Sequence, residues 1–533
     1  MFDMAILNWH FDIRPKKIVD TLSMARALHT IEVGGSLAAL VEYYELGTKG
    51  TEVLNALGKR RIDFTAEELA EYGEYCKNDV VLTYKLFKQL MHGFPILELN
   101  LIDLTIRMFT QPVIELDADI LQLNLRQVQD KKRELLSKAM IDKDQLMSGE
   151  QFAALLRELD VVPPTKISPT TGKPVYAFAK TDEEFLALLE HENIFVQALA
   201  AARLGVKSTI EETRTERLLD ISKRGLMPIP LRYYAAHTGR WGGDDKVNMQ
   251  NLPRNSVLKK ALRAPTGYAF VDCDSSQIEA RTLAWWAGQD DLIEAFARGD
   301  DVYKIMAAAI YGKPESEIDK GERFVGKTTI LGCGYGMGAA KFQLQLQNFK
   351  VVTELEECQR IIAVYRSTYE RIPELWKQAN EALLAMMNNQ TAPLGRDGVV
   401  IVEGHKGIRL PNGLYLRYPN LRWHSDPKTG KKEMVYDTKR GRAVIPNRIY
   451  GGKVVENLCQ ALARIIIGEQ LVQVSRKYRV ALTVHDAIGV VVPEAEEQEG
   501  LAFVESCMRV RPTWAPDLPL NCEGGSGESY GDC

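Results

Sequence analysis

Two short apolar segments of this chain each run into an aspartate, and they lie about two hundred residues apart. The first reads Tyr268-Ala-Phe-Val-Asp-Cys-Asp274-Ser-Ser-Gln-Ile-Glu279-Ala-Arg281. The second reads Val480-Ala-Leu-Thr-Val-His485-Asp486-Ala-Ile-Gly-Val-Val-Val492. A lone buried carboxylate is costly, so burial is not the reason for either aspartate. Between them stands Arg323-x-x-x-Lys327, followed by Leu331 and Tyr335-Gly336. A helix carries Arg323 and Lys327 just over one turn apart and presents both cations to one side. Two carboxylates able to hold hard cations, with a pair of basic side chains, are the equipment for moving a phosphoryl group. Asp272 precedes Asp274 by two residues and shares its strand face, so spacing alone leaves the two as competitors.

These blocks resemble the three polymerase motifs of the family A, Pol I type DNA polymerases. Asp274 through Arg281 matches Asp-x-Ser-x-Ile-Glu-x-Arg, Arg323 through Gly336 matches Arg-x3-Lys-x7-Tyr-Gly, and His485-Asp486 matches the His-Asp turn. Support comes from Thr238-Gly-Arg240-Trp, Asn248-Met-Gln250-Asn-Leu-Pro253 and Glu456-Asn-Leu-Cys-Gln460-Ala. The likeness runs from about residue 100 to the end, with spacers similar in style to bacteriophage members. It implies an α+β right hand of thumb, palm and fingers that joins dNTPs to a primer 3′ end on a DNA template and releases pyrophosphate. It also implies two Mg²⁺ ions, or Mn²⁺ in their place, with primer-template DNA and dNTPs as partners. Accessory replication proteins are left unspecified.

Residue by residue, the resemblance makes Asp274 and Asp486 the catalytic ligands of both ions, with the Ser275 carbonyl as a third. The Ser-x-Ile-Glu register selects Asp274 over Asp272. Arg323 and the catalytic Lys327 would hold the triphosphate, while Leu331 and Tyr335 meet sugar and base. Glu279 would crowd the 2′ position and exclude ribonucleotides. Tyr303 stands where a histidine is common and offers an uncharged hydroxyl to a phosphate. Arg240 and Gln460 resemble readers of minor-groove acceptors, which all base pairs share. His485 would touch the primer end, and Lys207, Ser208, Thr209, Asn248 and Gln250 would lie on DNA. Arg281 is expected to pair with a nearby acid. Gly332, Gly334 and Gly336 weaken the end of the cationic helix and allow it to bend. Family members usually carry Glu after the His-Asp pair, whereas this chain has Ala487.

These side chains need a large scaffold. The chain has 533 residues, 45% of them hydrophobic, which predicts about three domains. A net charge of −4 excludes a simple DNA-coating protein and fits an enzyme with its positive charge confined to one cleft. Arg254, Lys259, Lys260 and Arg263 form a basic stretch without an acid, either a solvated face or a phosphate contact. Eight cysteines without a Cys-x2-Cys pair argue against zinc and against a disulfide framework, and fit a reducing cytoplasm. No apolar run approaches the ~18 residues of a membrane span, and no signal peptide is evident.

Residues 1–95 read as helical, with a capping box at Thr65-Ala-Glu-Glu68. Tyr75 and Asp79 share a helix face and resemble the third motif of the family's RNase H-like 3′–5′ exonuclease domain. Phe2-Asp3 resembles the end of the second. The first, Asp-x-Glu, would lie before residue 1, so a truncated, structural remnant without proofreading is expected. The expected division continues with a thumb over 96–215, palm over 216–285, fingers over 286–400 and palm again over 401–533. Strands from both palm parts, including the hairpin Leu410-Pro-Asn-Gly-Leu-Tyr-Leu-Arg417, are expected to build one sheet, with Gly524-Gly-Ser-Gly-Glu-Ser as a tail across it. A single-subunit RNA polymerase shares this hand, and Glu279 argues against it. A silent DNA-binding relic is the other alternative, and retention of Asp274, Asp486, Arg323 and Lys327 argues against that.

Overall fold

The computed structural model describes residues 1–29, 31–51, 56–139, 143–168, 173–191, 193–207, 209–245, 248–253, 256–349, 351–425, 430–440 and 443–533. The apolar segment Tyr268–Ser275 is an inner strand of a four-stranded antiparallel sheet. Ala487–Pro493 and then Arg479–Val484 lie on one side of it, and Cys522–Gly527 lies on the other. Nearly every residue of Ala487–Pro493 is buried, as expected of a strand covered on both faces. Helix Glu497–Met508 packs on one face. The long helix Gly451–Val474, buried along most of its length, contacts helices Ile96–Thr110, Ile278–Ala287 and Arg371–Met387.

Two expectations about this sheet are corrected. The hairpin at Leu410–Arg417 exists, with Ile408–Arg409 paired to Tyr415–Leu416, but it belongs to a separate four-stranded sheet. Arg422–Ser425, Lys432–Arg440 and Ala443–Ile449 form a further three-stranded sheet. Alternation marks a strand but does not say which sheet it joins, because partner choice is set by long-range packing. The glycine-rich C-terminal stretch is an edge strand rather than a tail. Its glycines are needed there: a Cβ on Gly525 would sit 2.8 Å from the Cys533 carbonyl carbon, and one on Gly527 2.7 Å from Asp532 Cβ. The last residues thus fold back over this strand.

The apolar interior is split. One core runs through the four-stranded sheet around Tyr268–Ser275, the long helix, the helices between residues 278 and 387 and the N-terminal helices. A second gathers Leu146, Phe152, Phe178, Phe185, Val196 and Leu199 within residues 146–202, with Arg203 stacked 4.4 Å from the Phe152 ring. The N-terminal unit is helical, and its expected capping box is present: Glu68 N donates to Thr65 Oγ1 at 3.2 Å and Thr65 N to Glu68 Oε2 at 2.9 Å. Trp9 Nε1 donates to Thr110 O and Arg107 to Pro15 O, fastening this unit to helix Ile96–Thr110. Among the described residues no helix is long and apolar enough to cross a membrane.

Inside the main core lies a fully buried ion pair. Arg464 of the long helix donates to Glu98 Oε1 at 2.5 Å, Asn412 to the same oxygen at 2.7 Å, and Tyr233 to Glu98 Oε2 at 2.5 Å. The Arg464 guanidinium lies over the rings of Tyr233, Tyr234 and Trp241. Burial alone would raise the Glu98 pKa, but Arg464 and the two neutral donors outweigh it and hold it below the usual carboxylate range. We predict that Glu98→Ala lowers stability in urea by about 3–5 kcal/mol, because Arg464 is left charged and unpaired. Glu98→Leu with Arg464→Met should recover most of the loss. The pair's contribution is fully present above about pH 4.3 and fades as pH falls through the depressed Glu98 pKa.

The packing of the cationic helix depends on one close approach. Helix Val302–Tyr311 packs on helix Lys320–Cys333 so tightly that a Cβ on Gly326 would sit 2.1 Å from the Tyr303 carbonyl oxygen. Backbone meets backbone there, and neither can swing aside. Gly326→Ala should therefore cost about 1–3 kcal/mol through overpacking, read as an earlier thermal transition. Ala at the open Gly338, where nothing lies within 4 Å, is the neutral control.

Candidate active site

Asp274 ends the central strand, and Asp486 lies in the turn joining the two strands beside it. Ala487, at the start of Ala487–Pro493, pairs directly with Asp274 in the register. Ser275 N donates to Asp486 O at 3.1 Å, which zips the strand end to the turn. His485 supports that turn with a φ of 56°, in the left-handed region. The register and the Ser275–Asp486 bond bring the two carboxyls together at the same sheet end. Burial raises the Asp486 pKa, opposed by its own backbone N–H, by Arg240 and by Asp274.

Asp272 follows a different course. Its carboxyl is pushed up to about 7 by burial, with Lys259 pulling it down and Asp274 pushing it up. The C-terminal residues close over it: the Tyr530 ring packs on Phe270 and takes Lys259 Nζ 4.2 Å from its centroid. Asp274, by contrast, is exposed. The competition that spacing left open therefore resolves into one solvent-facing and one sunken carboxylate. Among the described residues no cluster of three or more His, Cys, Asp or Glu side chains is placed to hold a metal. A cation here would rest on Asp274 and Asp486, with the rest of its shell from backbone, water or phosphate oxygens.

Arg240 stands beside this pair. Its guanidinium is ion-paired with Glu279, and Tyr335 donates to the other Glu279 oxygen at 3.4 Å. Burial lowers the Arg240 pKa, while Asp486 and Tyr335 act to raise it. Gln250 donates to Trp241 O at 2.9 Å, His485 Nε2 lies 3.2 Å from Gln250 O, and Asn248 caps the same turn. Arg240, Gln250, His485 and Asp486 line one small cavity with Arg464. Gln460, on the long helix, donates to Glu456 at 3.5 Å.

The cationic helix runs Lys320–Cys333, opened by a capping box between Asp319 and Glu322. Arg323 Nε donates to Asp301 Oδ2 at 2.6 Å. The other Asp301 oxygen caps helix Val302–Tyr311 by accepting from Tyr303 N and Lys304 N. The Tyr303 ring lies under both cations, 5.3 Å from Arg323 and 5.9 Å from Lys327. Its hydroxyl bonds to Gln277, and burial raises its pKa. Leu331 is 42% exposed on this helix. The helix ends at Cys333, and the chain turns at Gly336 with φ +78°.

Some expected placements differ. Arg281 pairs with no acid; it donates to the carbonyls of Ser276, Phe296 and Pro519 and to the Gln277 side chain. It is a buried strut, because a guanidinium's several donors suit a cluster of carbonyls. In the N-terminal unit Tyr75 and Asp79 do share a face, and Lys49 joins them both, donating to Tyr75 at 2.7 Å and pairing with Asp79. Asp3 lies in the first turn of helix Phe2–Phe11. Ser208, Arg254 and Asn255 lie outside the described residues, as do the side chains of Lys207 and Thr209. Sequence reading missed Asp301, although an acid just before an apolar helix is a legible capping signal. It also missed Glu98 and Arg464, whose pairing over 366 positions leaves no local trace.

Comparison with known proteins fits this geometry. Residues 118–401 match the family model for DNA polymerase family A, and residues 1–93 match one for a 3′-5′ exonuclease. The chain is 27% identical over 349 residues to a DNA polymerase of Bacillus phage SP02, covering 58% of this chain and 52% of that one. It is 27% identical over 511 residues to DNA polymerase I of Pseudomonas aeruginosa, covering 92% of this chain and 51% of the relative. The chain thus spans about half the length of these curated relatives. Its fold is similar to the POL domain of Pol1 from M. smegmatis, solved in complex with DNA primer-template and dNTP. That match has a TM-score of 0.68 at 19% identity and covers 96% of this chain and 82% of the other. With more than half its length matched by the family model, the chain belongs to DNA polymerase family A.

Proposed function

We propose that this chain extends a DNA primer at its 3′ end with deoxynucleotides copied from a DNA template, in phage DNA replication. One observation carries the reading: Asp274 and Asp486 are brought together at one sheet end beside Arg240, while Arg323 and Lys327 project together from one fingers helix. In the same reading residues 96–215 act as thumb, 216–285 and 401–533 as palm, and 286–400 as fingers. Residues 1–95 correspond to the exonuclease-like unit.

The donor set fits hard divalent cations. One carboxylate is exposed and one partly buried, and the Ser275 hydroxyl between them is buried without a partner among the described residues. When bound there, two Mg²⁺ ions would lower the cost of charge on the attacking and leaving oxygens. The chain's own groups do the positioning. Arg323 is held through Nε by Asp301, which leaves its outer nitrogens for phosphate oxygens. Lys327 adds a second cation on the same side, and the Tyr303 ring keeps both side chains from folding away. Glu279 and Tyr335 stand together where the sugar edge would rest, so a 2′-hydroxyl meets a carboxylate already paired with Arg240. Arg240, Gln250 and His485 face the primer end.

Primer extension with Mg²⁺ tests this reading. Asp274→Ala and Asp486→Ala should each abolish extension while gel-shift affinity for primer-template stays within a few-fold. Extension by either variant near the parent's rate would falsify the assignment. A subtler outcome is expected at Leu331, which has no hydrogen-bonding group to replace a missing 3′-hydroxyl. Leu331→Tyr should raise dideoxynucleotide termination relative to the parent in a dTTP against ddTTP competition, with ordinary extension preserved.

A further inference from the structure

We propose that the three-stranded sheet Arg422–Ser425, Lys432–Arg440 and Ala443–Ile449 binds the unpaired template strand ahead of the active site. This deepens the polymerase reading and rests on it. Residues 421–450 hold eight Lys and Arg against three Asp and Glu, in a chain whose net charge is −4. The stretch also lies beyond the residues matched by the polymerase family model, which end at 401. It is thus a strongly cationic element on an otherwise acidic protein, and polyanion binding is the chemistry that composition serves.

Its position points to the template. The last strand runs through Ile449 into Tyr450, and a Cβ on Gly336 would lie 3.7 Å from the Tyr450 ring. One on Gly452 would lie 2.5 Å from Tyr335 O. Tyr450 therefore abuts the end of the fingers segment that carries Tyr335, and it remains 40% exposed. Across the sheet, Ile449 pairs with Met434 and Met434 with Trp423, which is 54% exposed on the outer strand. Side chains alternate along a strand, so Tyr450 shares its face with Arg448 and Lys439, while Trp423 and Lys432 stand on the opposite face. The exposed Tyr450 ring beside the site is a platform for an unpaired base. Lys432 and Lys439 are exposed on the middle strand, and the Arg448 side chain is 64% exposed over the Tyr450 ring. Arg448 also pairs with Glu433 at 3.2 Å, and Arg422 with Asp437 at 2.8 Å. Exposed pairs of that kind are worth about 0–1 kcal/mol, so a phosphate can displace the carboxylate on Arg448.

The test uses the full chain and fluorescence anisotropy, without metal or dNTP. The substrates are one primer-template with a long oligo-dT 5′ overhang and one with a single unpaired template nucleotide. The variant is Lys439→Gln/Arg448→Gln, on the face that carries Tyr450. On the long overhang its affinity should fall several-fold, and the slope of log K against log salt should flatten by about 1.4. On the short overhang, affinity and single-nucleotide extension should match the parent. Equal losses on both substrates, or none on the long one, overturn the proposal. Annealing a complementary strand to the overhang should abolish the difference between parent and variant; if the difference persists, the ligand is duplex and the single-strand assignment fails. Should the variant unfold, ultraviolet crosslinking of a bromodeoxyuridine overhang to the unaltered protein decides: adducts must map within residues 422–450, and adducts only elsewhere refute the site. Failure of the polymerase reading appears separately, as absent extension by the parent on the short overhang.

Discussion

Two carboxylates repel each other, and everything around Asp274 and Asp486 is arranged to hold them together regardless. The antiparallel register fixes where the strand end meets the turn, and the Ser275–Asp486 backbone hydrogen bond locks that meeting. Arg240 supplies the nearest compensating charge. Arg464 lines the same small cavity, and its pairing with Glu98 ties helix Ile96–Thr110, the loop around Tyr233 and the long helix into one unit. A buried pair is a poor source of net stability, but a broken one is expensive. Its effect here is to penalise any arrangement that lets these elements drift, which is what a pair of like charges would otherwise favour.

The fingers use the same device on the opposite sign. Arg323 and Lys327 are like charges on one helix face, and Asp301 with the Tyr303 ring makes their proximity tolerable. Asp301 does two jobs with its two oxygens, capping one helix and pairing with the cation of another. Gly326 permits the approach that makes this possible, because a methyl group there would strike the Tyr303 carbonyl. The aspartate pair and the cationic helix then meet at Glu279, which is paired with Arg240 on one oxygen and bonded by Tyr335 on the other. A residue expected only to crowd a sugar is also the electrostatic link between the two halves of the site.

The chemistry was legible in the sequence because it is local. Strand-end aspartates, an i,i+4 cation pair and a capping box at Thr65 each show within a dozen residues, and each has the expected local geometry. What was illegible is non-local. Period-two alternation in residues 400–450 identified strands but not their sheets. The glycines of Cys522–Gly527 read as a loose tail because their reason, the returning C-terminal residues, is visible only in three dimensions. Arg281 read as an ion-pair partner, since a sequence does not reveal that three carbonyls will converge on it. Glu98 and Arg464 read as nothing at all.

The N-terminal unit follows the same logic in a place remote from the chemistry. Asp79 and Tyr75 converge as their spacing demands, and the cation that meets them is Lys49. The ammonium compensates the carboxylate through one oxygen, while Asp79 Oδ1 is buried with no hydrogen-bond partner among the described residues. The unit is joined to the rest of the chain by Arg107 to the Pro15 and Lys16 carbonyls, Trp9 to Thr110, and Arg417 to Leu28. Arg107 and Trp9's acceptor Thr110 lie on helix Ile96–Thr110, which also carries Glu98. Packing this unit against that helix restrains the far end of the same buried pair that ties the long helix to the site, so a contact made far from the aspartates is carried to them through one helix.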